Sequence, residues 1–214
     1  MITLENVSAT GFEAAIRGMR NPMNSWDKSD SDFNAKYAPY NVRFGANDKK
    51  LMINLVKAGS DHRKFMRMIN VTMDVKAPLY WWKEFDTYKV GTVANSCSTM
   101  HKIHDKEFTL DDFSHEHLVN PSMYILKTTI SALNCWRDSY NLYYDKEYWW
   151  QMIQLLPSSY NQLRTVQLNY EVLYNIYFAR KDHKLDEWHT FCEELKKLPL
   201  MESFIEIKEE PDVH

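Results

Sequence analysis

Alternation of apolar and polar residues predicts two β-strands in the first half of the chain. Over residues 69–75 every second residue is apolar, which is the period of a strand with one buried face. Residues 2–7 alternate less regularly and predict an edge strand. A short helix is expected at 12–19. Pro78 ends the second strand and suits the first turn of a helix predicted at 79–89.

Apolar residues at helical spacing predict the remaining elements. The strongest pattern lies at 163–180, where Val166, Tyr170, Leu173 and Tyr177 form one apolar stripe. Further helices are predicted at 48–58 (with Asn47 as its N-cap), 122–137, 145–156 and 185–197.

The segment 20–47 is rich in Asn, Asp, Ser and Pro, which predicts a loop. A loop of that length in a compact domain is more often functional than idle. The length of 214 residues favours a single domain over 1–200, followed by an acidic C-terminal tail at 201–214.

Composition excludes several classes of protein. Aromatic residues make up 14% of the chain, so most of it must fold to bury them. Only 5 glycines are present, and they are too scattered for a dinucleotide-binding or phosphate-binding loop. The net charge of −3 gives no overall attraction for nucleic acid.

The cysteines and the apolar runs indicate a compartment. Cys97, Cys135 and Cys192 are odd in number and far apart, which predicts free thiols in a reducing environment. The first residues lack the pattern of a signal peptide, and no apolar run approaches the ~18 residues of a membrane helix. We therefore expect a cytoplasmic protein without a membrane partner.

Two groups of polar residues on the predicted helices are candidates for chemistry. Asn169 and Arg180 are eleven residues apart, which would place them within roughly 20° on one helix face as a reader of an anion or a base edge. An arginine at a helix C-terminus is also explained by the helix dipole alone. Glu84, Tyr88 and Lys89 would line a polar pocket at the end of the 79–89 helix, or simply form a solvated surface.

The segment 92–101, TVANSCSTMH, concentrates small hydroxyl and thiol side chains beside Asn95. Such a stretch suits a phosphate or a pyrimidine ring, although an ordinary loop can look the same. The paired histidines lack further ligands at metal-binding spacing, so no metal site is predicted. The pairs Trp81-Trp82 and Trp149-Trp150 could stack on a base, but the core or a subunit interface is the more usual place for them.

The segments 75–101 and 155–180 resemble the flavin-dependent thymidylate synthase family. That family has a strand ending in a similar Lys-Ala-Pro, a helix with Gln, then Arg-His-Arg and a Ser-Gly-Arg-Tyr segment, and a later helix with Asn and Arg eleven residues apart. The helix ending in DKKLMINLVKAGSDH is similar to the family's stretch that closes with Gly-His-Glu. The resemblance implies an α+β fold with a central antiparallel sheet flanked by helices.

The resemblance also implies a homotetramer that binds dUMP and FAD and methylates the pyrimidine at C5 with methylenetetrahydrofolate and NADPH. By position, Arg180 would contact the base, and Asn169, Tyr88 and His62 would contact the cofactor. The residues implied to bind nucleotide are Glu84, Lys89, Thr92, Asn95, Ser96, Cys97, Ser98, Thr99 and Arg180.

The chain departs from the family at its main motif. Thr87-Tyr88-Lys89 replaces Arg-His-Arg, Glu84 replaces the preceding Gln, and the flavin-facing His falls at Met68. A threonine cannot supply the planar donor set of an arginine, and Lys89 does not replace it. Two hypotheses follow. One is a divergent enzyme acting on a pyrimidine nucleotide, and the other is a non-catalytic module that binds a nucleotide or a protein and has lost flavin.

Overall fold

A computed structural model describes residues 2–209, which form an antiparallel four-stranded sheet and eight α-helices. The strands are β1 (Thr3–Thr10), β2 (Asn70–Pro78), β3 (Thr92–Ser96) and β4 (Asn161–Asn169), in the order β1-β2-β4-β3. The helices are α1 (Phe12–Arg20), α2 (Ala46–Lys57), α3 (Leu79–Phe85), α4 (Ser122–Tyr143), α5 (Lys146–Leu155), α6 (Tyr170–Arg180), α7 (Asp186–Lys196) and α8 (Met201–Glu209). The predicted α+β class with an antiparallel sheet is confirmed.

The largest error of the sequence prediction concerns residues 163–180. The first part of this segment belongs to β4, and the helix begins only at Tyr170. Burial along β4 has a period of two, because Val166 and Leu168 are buried whereas Thr165 and Gln167 are exposed. The stripe predicted from Val166 onwards matched a helical period by coincidence.

Two smaller errors lie around β3. No strand was predicted in the segment 92–101, but Thr92–Ser96 is a strand, mostly exposed and without the alternation that marks a half-buried one. The preceding helix α3 ends at Phe85, and the hydroxyl of Thr87 donates to the Glu84 carbonyl at 2.7 Å just beyond it. Tyr88 and Lys89 therefore lie in the connection that follows α3.

The ends of two other helices also differ from prediction. Gly45, not Asn47, is the N-cap of α2. Residues 201–209 form α8 rather than an acidic tail, because Met201, Phe204 and Ile205 bury one face of it. The rest of the predicted tail, 210–214, lies outside the described residues, and the 1–200 boundary stays a prediction.

The chain comprises two compact units. The first is built mainly from Asp74–Thr87 and Ala94–Thr165 and contains α3, α4 and α5. Its buried apolar residues around α4 and α5 are Ile103, Phe108, Phe113, Leu126, Ile130, Leu133 and Met152. Trp81 and Trp82 are also fully buried, so this pair belongs to the core.

The second unit comprises Leu4–Met73, Tyr88–Val93 and the chain from Val166 onwards. The polar segment 20–47 belongs to it and contains only short 3-10 turns and one isolated bridge, between Asp32 and Arg43. Asp48 on α2 organises this segment, since its carboxylate binds Arg20 and accepts hydrogen bonds from Ser29 and Ser31. None of the helices described is both long and apolar enough to span a bilayer.

Candidate functional site

Arg180 lies in an aromatic cluster within the second unit. Its Nε donates a hydrogen bond of 2.7 Å to the hydroxyl oxygen of Tyr88. The centre of its guanidinium group is 5.4 Å from the centroid of the Tyr88 ring and 4.9 Å from that of Trp188 on α7. We call these three residues the Arg180 cluster. Contact with the rings of Tyr88 and Trp188, together with the hydrogen bond to the Tyr88 hydroxyl, fixes the orientation of the guanidinium.

The sequence predicted that Asn169 and Arg180 share a helix face, but in the structure they do not. Its side-chain oxygen accepts a hydrogen bond of 3.0 Å from the backbone N–H of Val172, which makes it the N-cap of α6. Arg180 is the last residue of that helix, so the two stand at its opposite ends. The prediction of a shared face from their spacing is wrong because the helix starts after Asn169.

The amide of Asn169 lies against Gly91. A Cβ on Gly91 would come within 2.9 Å of Asn169 Nδ2, and the backbone of Gly91 has a φ of +70° that favours glycine. The next residue, Thr92, begins β3, and its hydroxyl is buried with no hydrogen-bond partner among the described residues. A buried hydroxyl without a partner is costly, which makes Thr92 a candidate for a ligand contact.

The segment Asn95–Thr99 belongs to the first unit. The side chains of Asn95, Ser96 and Cys97 are exposed, and those of Ser98 and Thr99 are half-buried. The backbone of Cys97 is anchored on both sides, because its N–H donates to Leu163 at 2.9 Å and its carbonyl accepts from Gln162 Nε2 at 2.8 Å. The segment therefore presents a contiguous row of small polar groups on a fixed backbone.

Glu84, Lys89 and His62 complete the predicted site residues. Glu84 is half-buried on α3 in the first unit, whereas Lys89 and His62 are exposed and belong to the second. The predicted helix that was to carry Glu84, Tyr88 and Lys89 together ends before the last two.

Two arginines near His62 in the sequence were not predicted as site residues. Arg63 and Arg67 both contact the buried carboxylate of Glu171 on α6, and the Arg63–Glu171 distance is 3.4 Å. Hydrogen bonding to Glu171 raises the pKa of Arg67 above its ordinary value. The i, i+4 spacing of the arginines was visible in the sequence, but their shared carboxylate lies over 100 residues away.

Arg164 was also overlooked, because it was assigned to a helix. It lies on β4 in the first unit, where it binds Asp86 at 2.7 Å and Gln162 at 2.9 Å. Its guanidinium packs 4.2 Å from the centroid of the Trp82 ring. Gln162 also donates a hydrogen bond to the carbonyl of Cys97. Arg164 therefore stabilises the backbone of the Asn95–Thr99 segment indirectly, through Gln162.

The cysteines differ in environment, and metal-binding clusters are not found in the described part of the chain. Cys97 and Cys135 are exposed free thiols. Burial raises the pKa of Cys192 to about 12, so its thiol stays protonated and unreactive at neutral pH.

No protein-family model matches the sequence, and no curated protein matches it either. Solved structures do match. Thymidylate synthase X (ThyX) from Helicobacter pylori with FAD and dUMP aligns over 95% of both chains with a TM-score of 0.68 and 14% identity. A second structure of flavin-dependent ThyX from Helicobacter pylori, complexed with FAD and dUMP, gives a TM-score of 0.64 and 14% identity over 95% of this chain and 96% of that one.

A third similar structure is the UMP/dUMP methylase PolB from Streptomyces cacaoi bound with 5-Br dUMP. It covers 92% of this chain and 88% of its own, with a TM-score of 0.56 and 13% identity. The chain thus has the fold of the flavin-dependent thymidylate synthases. At 13–14% identity, these similarities show the fold alone.

Proposed function

We propose that this protein binds a pyrimidine nucleotide, dUMP or a close relative, on its thymidylate synthase-like scaffold. The observation that carries the proposal is that all three similar structures, two of the Helicobacter pylori enzyme and one of the Streptomyces cacaoi methylase, contain a deoxyuridine nucleotide. Two side chains of the second unit supply suitable groups, the guanidinium of Arg180, which Tyr88 orients, and the exposed ammonium of Lys89. Arg180 contacts the base, and Lys89 contacts the phosphate.

Binding is tested by calorimetric titration of the purified protein with dUMP. We expect saturable binding, and much weaker binding of ribose 5-phosphate, which carries the phosphate and a sugar but no base. Equal affinity for both ligands would show that no base is recognised. An absence of heat with dUMP at all concentrations would contradict the proposal.

If the protein is an enzyme, it also binds FAD, methylenetetrahydrofolate and NADPH and modifies the nucleotide at C5. His62, Tyr88 and Asn169 are the residues that the resemblance assigns to the flavin. The hydroxyl oxygen of Tyr88 already accepts from Arg180, and the side-chain oxygen of Asn169 already caps α6. These contacts occupy only acceptor oxygens, but Thr87 and Lys89 lack the planar donors of the two arginines in Arg-His-Arg. The residues present therefore do not fit a flavin in the family's manner, and we derive no catalytic step through FAD.

The same contacts favour a second candidate function, which is nucleotide binding without catalysis. Thr87-Tyr88-Lys89 lacks the planar donors of Arg-His-Arg, and its central residue is bonded within the chain. A scaffold of this kind would sense or sequester its nucleotide.

Absorbance spectroscopy separates the two candidates. We expect the purified protein to be colourless and to remain so after incubation with FAD and gel filtration, because Thr87-Tyr88-Lys89 lacks the planar donors of Arg-His-Arg. The same sample should still bind dUMP. A flavin band that co-elutes with the protein would instead support the enzyme, and conversion of dUMP with the folate and NADPH would then be assayed.

We also propose assembly as a homotetramer. Helix α4 exposes large apolar side chains, including Tyr124 (70%), Ile125 (60%) and Tyr143 (66%), and such patches on a protein surface usually mark interfaces. The double substitution Ile125→Glu, Tyr143→Glu should shift the mass in light scattering from four chains to fewer. Lys127→Glu, exposed on the same helix, serves as the control. A monomeric wild-type protein would contradict this assembly.

A further inference from the structure

A second concave site lies in the first unit, next to the Asn95–Thr99 segment but lined by none of the residues assigned above to nucleotide or cofactor. It is a cavity of about 350 Å³ where the chain that follows β3 meets the α4–α5 turn. We call it the α5 pocket, and its lining residues are Met100, His101, Tyr140, Tyr144, Lys146 and Trp149. We propose that it binds a small planar aromatic molecule that carries an anionic group.

The aromatic walls of the α5 pocket are held in place. The indole N–H of Trp149 donates to the carbonyl of Met100 at 2.9 Å, which ties α5 to the chain after β3. The ring of Tyr140 packs edge-on against His104 at 4.8 Å and against Tyr144 at 6.1 Å. Fixed aromatic walls favour a flat ligand, since stacking needs no reorganisation of the protein.

Lys146 gives the pocket a positive character. It lines the pocket together with His101, and none of the lining residues carries a carboxylate. Neither side chain forms an ion pair with another described residue. The adjacent carboxylate of Asp145 is used elsewhere, because it accepts a hydrogen bond of 2.9 Å from the backbone N–H of Glu147 as the N-cap of α5. The ammonium of Lys146 therefore suits an anionic ligand.

The backbone at Tyr144 is an independent sign of function. Tyr144 follows the last residue of α4 with φ of 54° and ψ of 25°, a left-handed conformation that this position usually gives to glycine or asparagine. A bulky side chain there costs stability, and its ring is 75% exposed rather than packed in the core. What the ring does provide is one wall of the pocket.

The size of the cavity limits the ligand. A volume of about 350 Å³ lies at the lower end of the range for small-molecule sites, roughly 300–1,000 Å³. It accommodates one ring system with one anionic group. Either a nucleoside phosphate or an aromatic carboxylate has this chemistry, and the experiment distinguishes them.

The test uses two anionic probes, AMP and indole-3-acetate, with their neutral counterparts adenosine and indole-3-acetamide. Methionines are labelled at the methyl carbon, and the Met100 signal is assigned with Met100→Leu. We expect at least one anionic probe to shift the Met100 signal and to bind about tenfold more tightly than its neutral counterpart. Whichever anionic probe binds identifies the phosphate or the carboxylate as the source. No shift with any probe would overturn the proposal.

Variants then assign the contacts. Lys146→Met should abolish the preference for the anion, whereas Lys127→Met, exposed on α4 outside the pocket, should leave it intact. Tyr144→Gly should weaken binding about tenfold and yet leave the melting temperature equal or higher, because glycine relieves the left-handed backbone. Tyr37→Ala, which removes a fully exposed ring outside the pocket, should change neither. Wild-type affinity for the anionic probe in both Lys146→Met and Tyr144→Gly would overturn the proposal.

Because dUMP is itself a nucleoside phosphate, the variants rather than the ligands distinguish the α5 pocket from the proposed dUMP site. Lys146→Met should leave dUMP affinity unchanged if the two sites are separate. Loss of dUMP binding in Lys146→Met, together with no binding of AMP or indole-3-acetate to the wild type, would overturn the second site while preserving nucleotide binding.

Discussion

Replacing Asp48 with asparagine is expected to lower the free energy of unfolding by about 3–5 kcal/mol. Asp48 is 0% exposed and Arg20 only 4%, and their side chains approach to 2.6 Å. The substitution leaves the guanidinium of Arg20 buried without its countercharge. It also weakens the acceptor for Ser29 and Ser31, which hold the 20–47 segment in place.

The effect should depend on pH in a defined direction. Burial by itself raises the pKa of Asp48, but hydrogen bonds from Ser31, Arg20, Ser29 and the Asp30 backbone outweigh it, so the pKa is lowered overall. A carboxyl whose pKa is lower in the folded state contributes stability at higher pH and loses it as the pH falls through that pKa. The contribution of Asp48 is therefore complete at neutral pH, begins to fall below about pH 4 and is lost as the pH drops through the lowered pKa.

Urea unfolding of the wild type and Asp48→Asn across this pH range measures the effect. The gap in unfolding free energy between them should be largest at neutral pH and should narrow in acid. Asp27→Asn, an exposed aspartate in the same segment, should match the wild type throughout. A gap that is small at pH 7, or that widens in acid, would show that the carboxylate does not stabilise the fold.

The second large effect concerns Arg180. We expect Arg180→Ala to weaken dUMP binding by roughly 10- to 150-fold, because a charge-assisted hydrogen bond to the base contributes about 1.5–3 kcal/mol. The melting temperature should fall only slightly, since the residue lies half-buried at a helix end and loses mainly its contacts with Tyr88 and Trp188. Calorimetry with dUMP and a thermal melt of the same sample measure both quantities.

Two further variants separate a binding role for Arg180 from a structural one. Arg180→Lys keeps the charge but not the planar donors, so affinity for dUMP should stay low. Tyr88→Phe removes only the acceptor of the Nε bond and should weaken binding by a few-fold through lost orientation. If Arg180→Ala instead lowers the melting temperature strongly and leaves dUMP affinity intact, the cluster is structural and the base is recognised elsewhere.

The two predictions concern different parts of the second unit and can fail separately. Asp48 tests what holds the long polar segment, whereas Arg180 tests the ligand assignment. A protein that retains the Arg180 cluster but binds no FAD would be a nucleotide binder whose motif residue Tyr88 has become a partner of Arg180. The aromatic contacts around the guanidinium already favour that outcome.

Residue types at the site were visible in the sequence, but their arrangement was not. Asn169 and Arg180 were both identified, yet the helix face assumed for them does not exist. Tyr88 and Arg180 are 92 positions apart, so no local spacing could predict their hydrogen bond. The same holds for Arg67 with Glu171 and for the α5 pocket, whose lining comes from three separate segments.

The sequence by itself determined the elements whose burial pattern is local. The alternation over 69–75 produced β2, and the helical patterns produced α2, α4, α5 and α7, because each of these buries one regular face. The tertiary structure decided β3 and β4. Their backbone hydrogen bonds are satisfied only by strands distant in the chain, so the sheet overrode a helical stripe at Val166 and converted an exposed polar segment into an edge strand.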